Sequence, residues 1–199
     1  MAARTRAPIT PLRPNVDKIL ASISFLVRTA NESGFEITQY DIVKSLFLAD
    51  KAHLNKYGRP ITFDNYSAMK DGPVPSLSYN FLKRDQFCMK RLGIKDFPWR
   101  SEAAPQISET AEVFSPKDEN NTHEDSLSES DTEELQAALS KVKQLGFQQV
   151  RKLTHDDPAY LEAWDNDSDV RSFPMSLSLL FEKANEDEAK NIEFLSKHS

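Results

Sequence analysis

The chain has 199 residues, enough for one domain with a real core, since roughly 70% of an extended chain's surface is buried at this size. Hydrophobic residues make up 39% and charged residues 28%, with only 5 Gly, which excludes a collagenous, coiled-coil-only or wholly disordered chain. A net charge of −6 does not favour a protein that coats nucleic acid or membrane, and the single cysteine, Cys88, excludes an internal disulfide and a thiolate metal cluster.

Residues 1–14 carry Pro8, Pro11 and Pro14 and read as a loose, flexible arm. Arg4, Arg6 and Arg13 have no apolar stretch behind them, so the arm is not a secretory signal. The most apolar run, Ile19 to Val27, falls far short of the ~20 residues that cross a bilayer. The expectation is a soluble, cytoplasmic protein without a membrane partner.

Asn15 caps a first helix whose apolar stripe runs Val16, Ile19, Leu20, Ile23, Leu26, Val27 and Ala30, and Gly34 ends it. Thr38 caps a second, Gln39 to about Tyr57, stopped by Gly58 and Pro60. Ile61–Phe63 and Tyr66–Met69 then read as short strands, with a turn at Asp71-Gly72-Pro73. Pro75-Ser76 opens a helix to Leu82; Phe87–Arg91 and Glu112–Phe114 read as short strands. Ser115 to Ser126 is polar and reads as a flexible surface loop. Ser128 or Ser130 caps the next helix, with Asp131 or Glu133 three residues on, and Gly146 ends it. A short helix follows from Phe147 to Leu153, a further turn or two from Pro158 to Trp164, and a helical tail from Ser176 to Lys197, broken near Asn185. The fold class is α+β and predominantly helical, a helical domain with a small β element after the second helix. Residues 15–165 form the domain and 166–199 a helical C-terminal extension.

Charge is divided unevenly. Residues 1–100 hold 16 Lys and Arg against 9 Asp and Glu, whereas residues 101–199 hold 9 against 22. The basic excess peaks at Lys83, Arg84, Lys90, Arg91, Lys95 and Arg100. Either the halves attract each other or are simply solvated, or the first offers a positive face to an acidic partner or nucleic acid. Lys83, Arg84, Lys90 and Arg91 are accordingly candidate partner-binding residues.

Within Gln39–Tyr57, Val43, Leu46, Phe47, Leu54 and Tyr57 share one face, with Asp50 in the middle of the stripe and His53 at its edge. A carboxylate on an apolar face needs partners. Arg59, His53 and the amides of the Gly58–Met69 passage are at hand, which makes Asp50 a structural anchor, with an acid–base or metal-ligand role as the alternatives. Two ligands alone are too few for a metal site. Leu48 lies amid Asp41, Lys44, Ser45, Lys51 and Asn55, so either the helix is covered on both sides or Leu48 is a contact knob for a partner.

The stretch Lys44 to Thr62, KSLFLADKAHLNKYGRPIT, followed by Tyr66 to Pro75, YSAMKDGPVP, resembles the Panacea domain of SocA-like bacterial antitoxins. Its pattern is a leucine-rich helix ending in Asp50-x-x-His53, then Tyr57-Gly58-x-Pro60, Tyr66, and Gly72-Pro73-Val74-Pro75. Leu127-Ser128, Leu153-Thr154-His155, Pro158-Ala159-Tyr160 and Trp164 resemble its C-terminal part, and the likeness spans about residues 38–165. The resemblance implies an antitoxin encoded beside a toxin, often on a mobile element, that binds and blocks a cognate protein toxin. A further partner, a protease or chaperone, enters where an antitoxin hands its toxin on for degradation. No enzymatic activity, cofactor or metal is implied, and the named residues serve as domain signatures.

Two other classes compete. A hydrolase would recruit Ser76, His155 and Asp156 or Asp157, but no G-x-S-x-G surrounds any serine, and the prolines before Ser76 remove amides that an oxyanion hole needs. A helix-turn-helix regulator would join its two helices through Ser33–Thr38, yet the reading helix would show Asp41, Lys44, Lys51 and Lys56 and no arginine. Nucleic acid is thus a disfavoured partner. Neither G-x-G-x-x-G nor a Walker sequence is present, so nucleotide chemistry is disfavoured too.

Overall fold

The Asn15 side chain accepts the Lys18 amide at 3.0 Å and starts α1 (Val16–Glu32). Thr38 and Asp41 form a reciprocal capping box that starts α2 (Gln39–Tyr57), and Gly58, in the left-handed region, closes it. The computed structural model describes residues 6–118, 123–166 and 169–198. After α1 comes β1 (Ile37–Thr38), and after α2 the hairpin β2 (Tyr66–Met69) and β3 (Gly72–Pro75). Next are α3 (Ser76–Leu82), α4 (Gln86–Leu92), β4 (Trp99–Ala103) and β5 (Glu112–Pro116). A 3-10 turn at His123–Ser126 leads to α5 (Glu129–His155), α6 (Pro158–Ala163), β6 (Phe173–Pro174) and, past a second 3-10 turn, α7 (Glu186–Ser196). Among the described residues two antiparallel sheets result, ordered β1-β5-β4 and β3-β2-β6. The fold is α+β and predominantly helical.

The core is two apolar clusters with α2 between them. Ile42, Val43, Leu46 and Ala49 face the first, with α1, Phe81, Trp99, Phe114 and the first half of α5. Phe47 and Leu54 face the second, with Phe63, Tyr66, Tyr160, Phe173 and the apolar residues of the C-terminal segment. Both faces of α2 are therefore covered, and the expected wet face does not exist. Lys44 and Ser45 are buried, and Lys51 pairs with Asp157, the residue that caps α6. The Asn55 side chain donates to the Leu180 carbonyl at 3.0 Å and accepts the Glu182 amide at 2.8 Å.

Several expectations are corrected. Phe87–Arg91 lies in α4 rather than in a strand, because Asp85 accepts the Cys88 amide at 2.7 Å as a cap and Gly93 terminates the turn. Ile61–Phe63 is not a strand, since its amides serve Asp50 instead of a ladder. In the expected 115–126 loop, Ser115 and Pro116 complete β5 and His123–Ser126 is a 3-10 turn; residues 119–122 lie outside the described ones. The described part of the N-terminal arm is tied down rather than loose, and residues 1–5 lie outside the described ones. Ala7 N donates to Glu162 Oε1 at 2.8 Å, Ser176 Oγ to the Pro8 carbonyl at 2.7 Å, and Leu12 exchanges two bonds with the Asn65 side chain. The C-terminal segment is only partly helical: Phe173–Pro174 pairs with β2, and α7 starts at an Asn185 cap, the predicted break. Gly146 kinks α5 where a helix end was expected; its φ of 70° is left-handed and its ψ of 172° is far from helical.

Candidate functional site

Asp50 is the centre of a closed hydrogen-bond set. Its Oδ1 accepts the amides of Ile61 at 2.8 Å and Thr62 at 3.0 Å, and its Oδ2 accepts Tyr66 OH at 2.8 Å and the Thr62 hydroxyl. The residue is 2% exposed. Burial pushes its carboxyl up, and these four donors, Thr62 foremost, pull it back. A second buried carboxylate, Asp64, accepts the amides of Asn65, Leu77 and Ser78 and the Ser78 hydroxyl, so it caps the start of α3. Burial raises it to about 6 against the same kind of donors. Between the two anchors Phe63 adopts φ 53°, a left-handed conformation that costs an L-residue about 1–2 kcal/mol. The paired carboxylates and the burial of the Phe63 ring hold it there.

Neither Arg59 nor His53 serves Asp50. Both converge on Asp131, whose side chain is fully buried. Arg59 Nη2 donates to Asp131 Oδ1 at 3.0 Å, His53 Nε2 lies 3.1 Å from the same oxygen, and Lys18 of α1 pairs with Oδ2. The Ser128 amide, the other half of the α5 capping box, donates to Oδ2 at 2.9 Å. Burial would raise this carboxyl, but the contacts from His53 and Lys18 hold it well below the usual range. His53 Nδ1 faces the Arg59 carbonyl at 2.8 Å and donates to it. Asp131 thus pins α1, α2 and the Gly58–Pro60 stop to the start of α5. Asp50 and His53 point into separate networks, so they do not present a shared pair of metal ligands.

The third feature is Lys44. It is 1% exposed, and its Nζ donates to the Pro73 carbonyl at 2.9 Å and sits 5.3 Å from the Tyr40 ring centre. Desolvation lowers its ammonium to about 7. Gly72, at φ 100°, lies against it, and a Cβ there would stand 2.8 Å from Lys44 Nζ and from Thr154 Oγ1. The His155 ring packs on Tyr160 at 4.4 Å between centres, its Nε2 buried without a partner among the described residues. Burial, then Arg151 and Lys44, push this imidazole below its ordinary value. Lys44 forms the floor of a groove of about 1090 Å³ between the start of α2, the β2–β3 turn and the α5 kink, with Tyr40 and Phe147 on its wall.

The remaining signature residues pack or turn the chain. Tyr57 lies over His53 at 4.5 Å, Pro60 and Pro75 are buried, and Val74 joins the first core cluster. Trp164 stacks on Tyr160 and meets Phe173 edge-on. Leu48 is half-buried against both clusters, which explains it without a partner. Among the basic candidates, Arg84 is committed internally to Asp96, the Trp99 carbonyl and the Phe97 ring, and Lys83 lies over Tyr79. Lys90 and Arg91 are exposed on α4. The helix-turn-helix alternative is disfavoured by α2, whose two covered faces leave only Ala52, Lys56 and Tyr57, near its end, exposed to enter a groove of DNA. For the hydrolase alternative, the Ser76 hydroxyl bonds to Ser67 at 3.1 Å, His155 packs on Tyr160 with its Nε2 unpartnered, and no hydrogen bond joins Ser76 to His155 among the described residues.

The residues so arranged fall in one segment that has relatives. Residues 42–160 match the family described as antitoxin SocA-like, Panacea domain. The chain belongs to the SocA-like Panacea antitoxin family. No curated protein and no solved structure matches it. The Panacea match begins inside α2 and ends in α6, and so encloses Lys44, Asp50, Asp64, Gly72 and Asp131. The arm, all of α1 and the segment after Tyr160 lie outside the Panacea match but pack onto it. Sequence reasoning missed Asp64, whose partners Leu77 and Ser78 lie thirteen and fourteen residues on, and Lys44, which falls among Asp41, Ser45, Lys51 and Asn55 on the helical wheel. Asp131 was legible only as a capping residue. No described helix is long and apolar enough to cross a membrane.

Proposed function

We propose that this Panacea-domain chain is the antitoxin of a toxin–antitoxin pair, and that it neutralises a cognate protein toxin in the cytoplasm by docking on it. The family match over residues 42–160 carries the proposal. The chemistry of the signature residues supports it. Asp50 has its oxygens filled by four internal donors, and His53, Arg59 and Lys18 are spent on Asp131. Such groups build a rigid scaffold and leave the exposed surface to recognise a partner, without making or breaking a bond. Delivery of the toxin to a protease, with a chaperone where the protease needs one, is a second step open to the same complex.

Growth tests the proposal. The neighbouring reading frame expressed alone arrests growth, and co-expression of this chain restores it, with the two proteins co-purifying. Arrest that persists on co-expression removes the proposal. An unchanged toxin level on rescue marks occlusion, and a toxin level that falls only while a protease is present marks delivery.

A further inference from the structure

We propose that α4 and the groove beside it form the face on which the toxin docks, and that the docked element is an acidic segment bearing an apolar anchor. This rests on the antitoxin reading and names the surface and the partner chemistry. Helix α4 buries only Met89. Its other side presents Phe87, 77% exposed, together with Lys90, Arg91 and Leu92. A phenylalanine that open, on a helix held by a side-chain cap at one end and a left-handed glycine at the other, is a fixed apolar knob rather than a frayed one. Beside it lies a groove of about 920 Å³ between α4, α3 and the start of α1, with Leu77, Val16 and Pro14 on its walls and Arg13 and Arg91 at its edges. Cys88, half-buried, forms part of the same wall.

Charge selects the occupant. Within 83–100 the acids are already used: Asp96 pairs with Arg84 and Lys117, and Asp85 caps α4. Lys90, Arg91 and Lys95 are left without an ion pair among the described residues. They stand on a molecule whose net charge is −6 and whose second half is strongly acidic. An acidic partner is repelled by most of this surface and drawn to one face, which speeds encounter and fixes orientation. Asp17, Asp64 and Asp85 also line the groove, beside the apolar Val16, Leu77 and Leu92, so the apolar anchor enters the groove while the acidic residues of the segment meet Lys90, Arg91 and Lys95. A nucleic acid brings no such apolar anchor and fits less well. Interface cores favour aromatic and arginine anchors, so Phe87 and Arg91 are the residues expected to carry most of the affinity.

The test uses the full chain and the protein encoded by the neighbouring reading frame, with binding measured by calorimetry at two salt concentrations. F87A is expected to weaken binding at least tenfold, and K90E/R91E to do the same while flattening the salt dependence. F147A, in the other groove, is expected to bind as the unaltered chain does. Thermal melting of each variant within a few degrees of the unaltered chain ties a loss to the surface, since Phe87, Lys90 and Arg91 lie outside the core. Unaltered binding by both F87A and K90E/R91E overturns the docking face and leaves the antitoxin reading standing. No binding by the unaltered chain overturns both. Sedimentation that shows a dimer abolished by F87A assigns the face to a second copy, and displacement of the toxin by a short DNA duplex assigns it to nucleic acid; either overturns the proposal.

Discussion

Gly72 lies against Lys44 so closely that a Cβ on the glycine would stand 2.8 Å from the lysine Nζ and 2.8 Å from Thr154 Oγ1. The φ of 100° at Gly72 adds a second barrier, since L-residues with side chains rarely adopt it. G72A is therefore expected to lose about 2–4 kcal/mol, from strain and overpacking together. In a K44A background part of the clash is gone, so the same substitution should cost less. Urea unfolding of the four proteins in the cycle checks this; equal costs in both backgrounds would separate the two residues.

The buried ammonium also sets a pH dependence. Lys44 has its folded value lowered to about 7 from an ordinary 10.5. Between those limits the unfolded chain binds a proton that the folded chain does not, so stability rises with pH by up to about 1.4 kcal/mol per unit. Below about 7 both states are protonated and the full cost of burying the charge is present. Comparing urea midpoints at pH 7 and pH 9, the unaltered chain should gain stability relative to K44M, which carries no such proton.

Asp50→Ala leaves two amides and two hydroxyls without their acceptor in a buried place. At about 1–3 kcal/mol for each group left unmade, less relaxation and entering water, a loss of about 3–5 kcal/mol is expected. D50N, with a single carbonyl oxygen, should recover part of it. Protection against the toxin should fail in step with unfolding. Protection lost at unchanged stability would make Asp50 a contact residue.

How far the sequence foretold this arrangement depended on whether the signal was local. Caps at Asn15, Thr38 and Ser128 lie within three residues of what they bind, and the helices they start were legible. Asp50 stood out because a carboxylate interrupts an apolar stripe, and the Gly58–Met69 amides were among its expected partners. His53 and Arg59 were placed with Asp50 because they are near it in sequence, whereas their partner Asp131 lies more than seventy residues on and registers locally only as a cap. Lys44 reads as a wet-face residue because amphipathic reasoning supposes one wet face, whereas for Leu48 the alternative of a helix covered on both sides is the one the structure shows. Phe87–Arg91 read as a strand because its composition is ambiguous over so short a run, and the Asp85 cap decided for helix.

Asp131 predicts the acid limb. Its folded value is depressed, so its contribution is present above its ordinary 3.8 and is lost as pH falls below it. D131N is expected to cost about 3–5 kcal/mol at neutral pH, because Lys18, Arg59 and His53 lose a buried partner. It should also unfold with a shallower dependence on pH between about 4 and 2. Circular dichroism through an acid titration of both proteins reads both effects.

Because the sequence holds one cysteine and the fold sets it in the wall beside Phe87, the chain already carries a unique attachment point for a reporter. Burial, chiefly, raises the Cys88 thiol, so conjugation with maleimide dyes calls for mildly alkaline buffer. A fluorophore placed there would brighten or shift as its surroundings dried, giving a titration curve in which no engineered residue has been introduced.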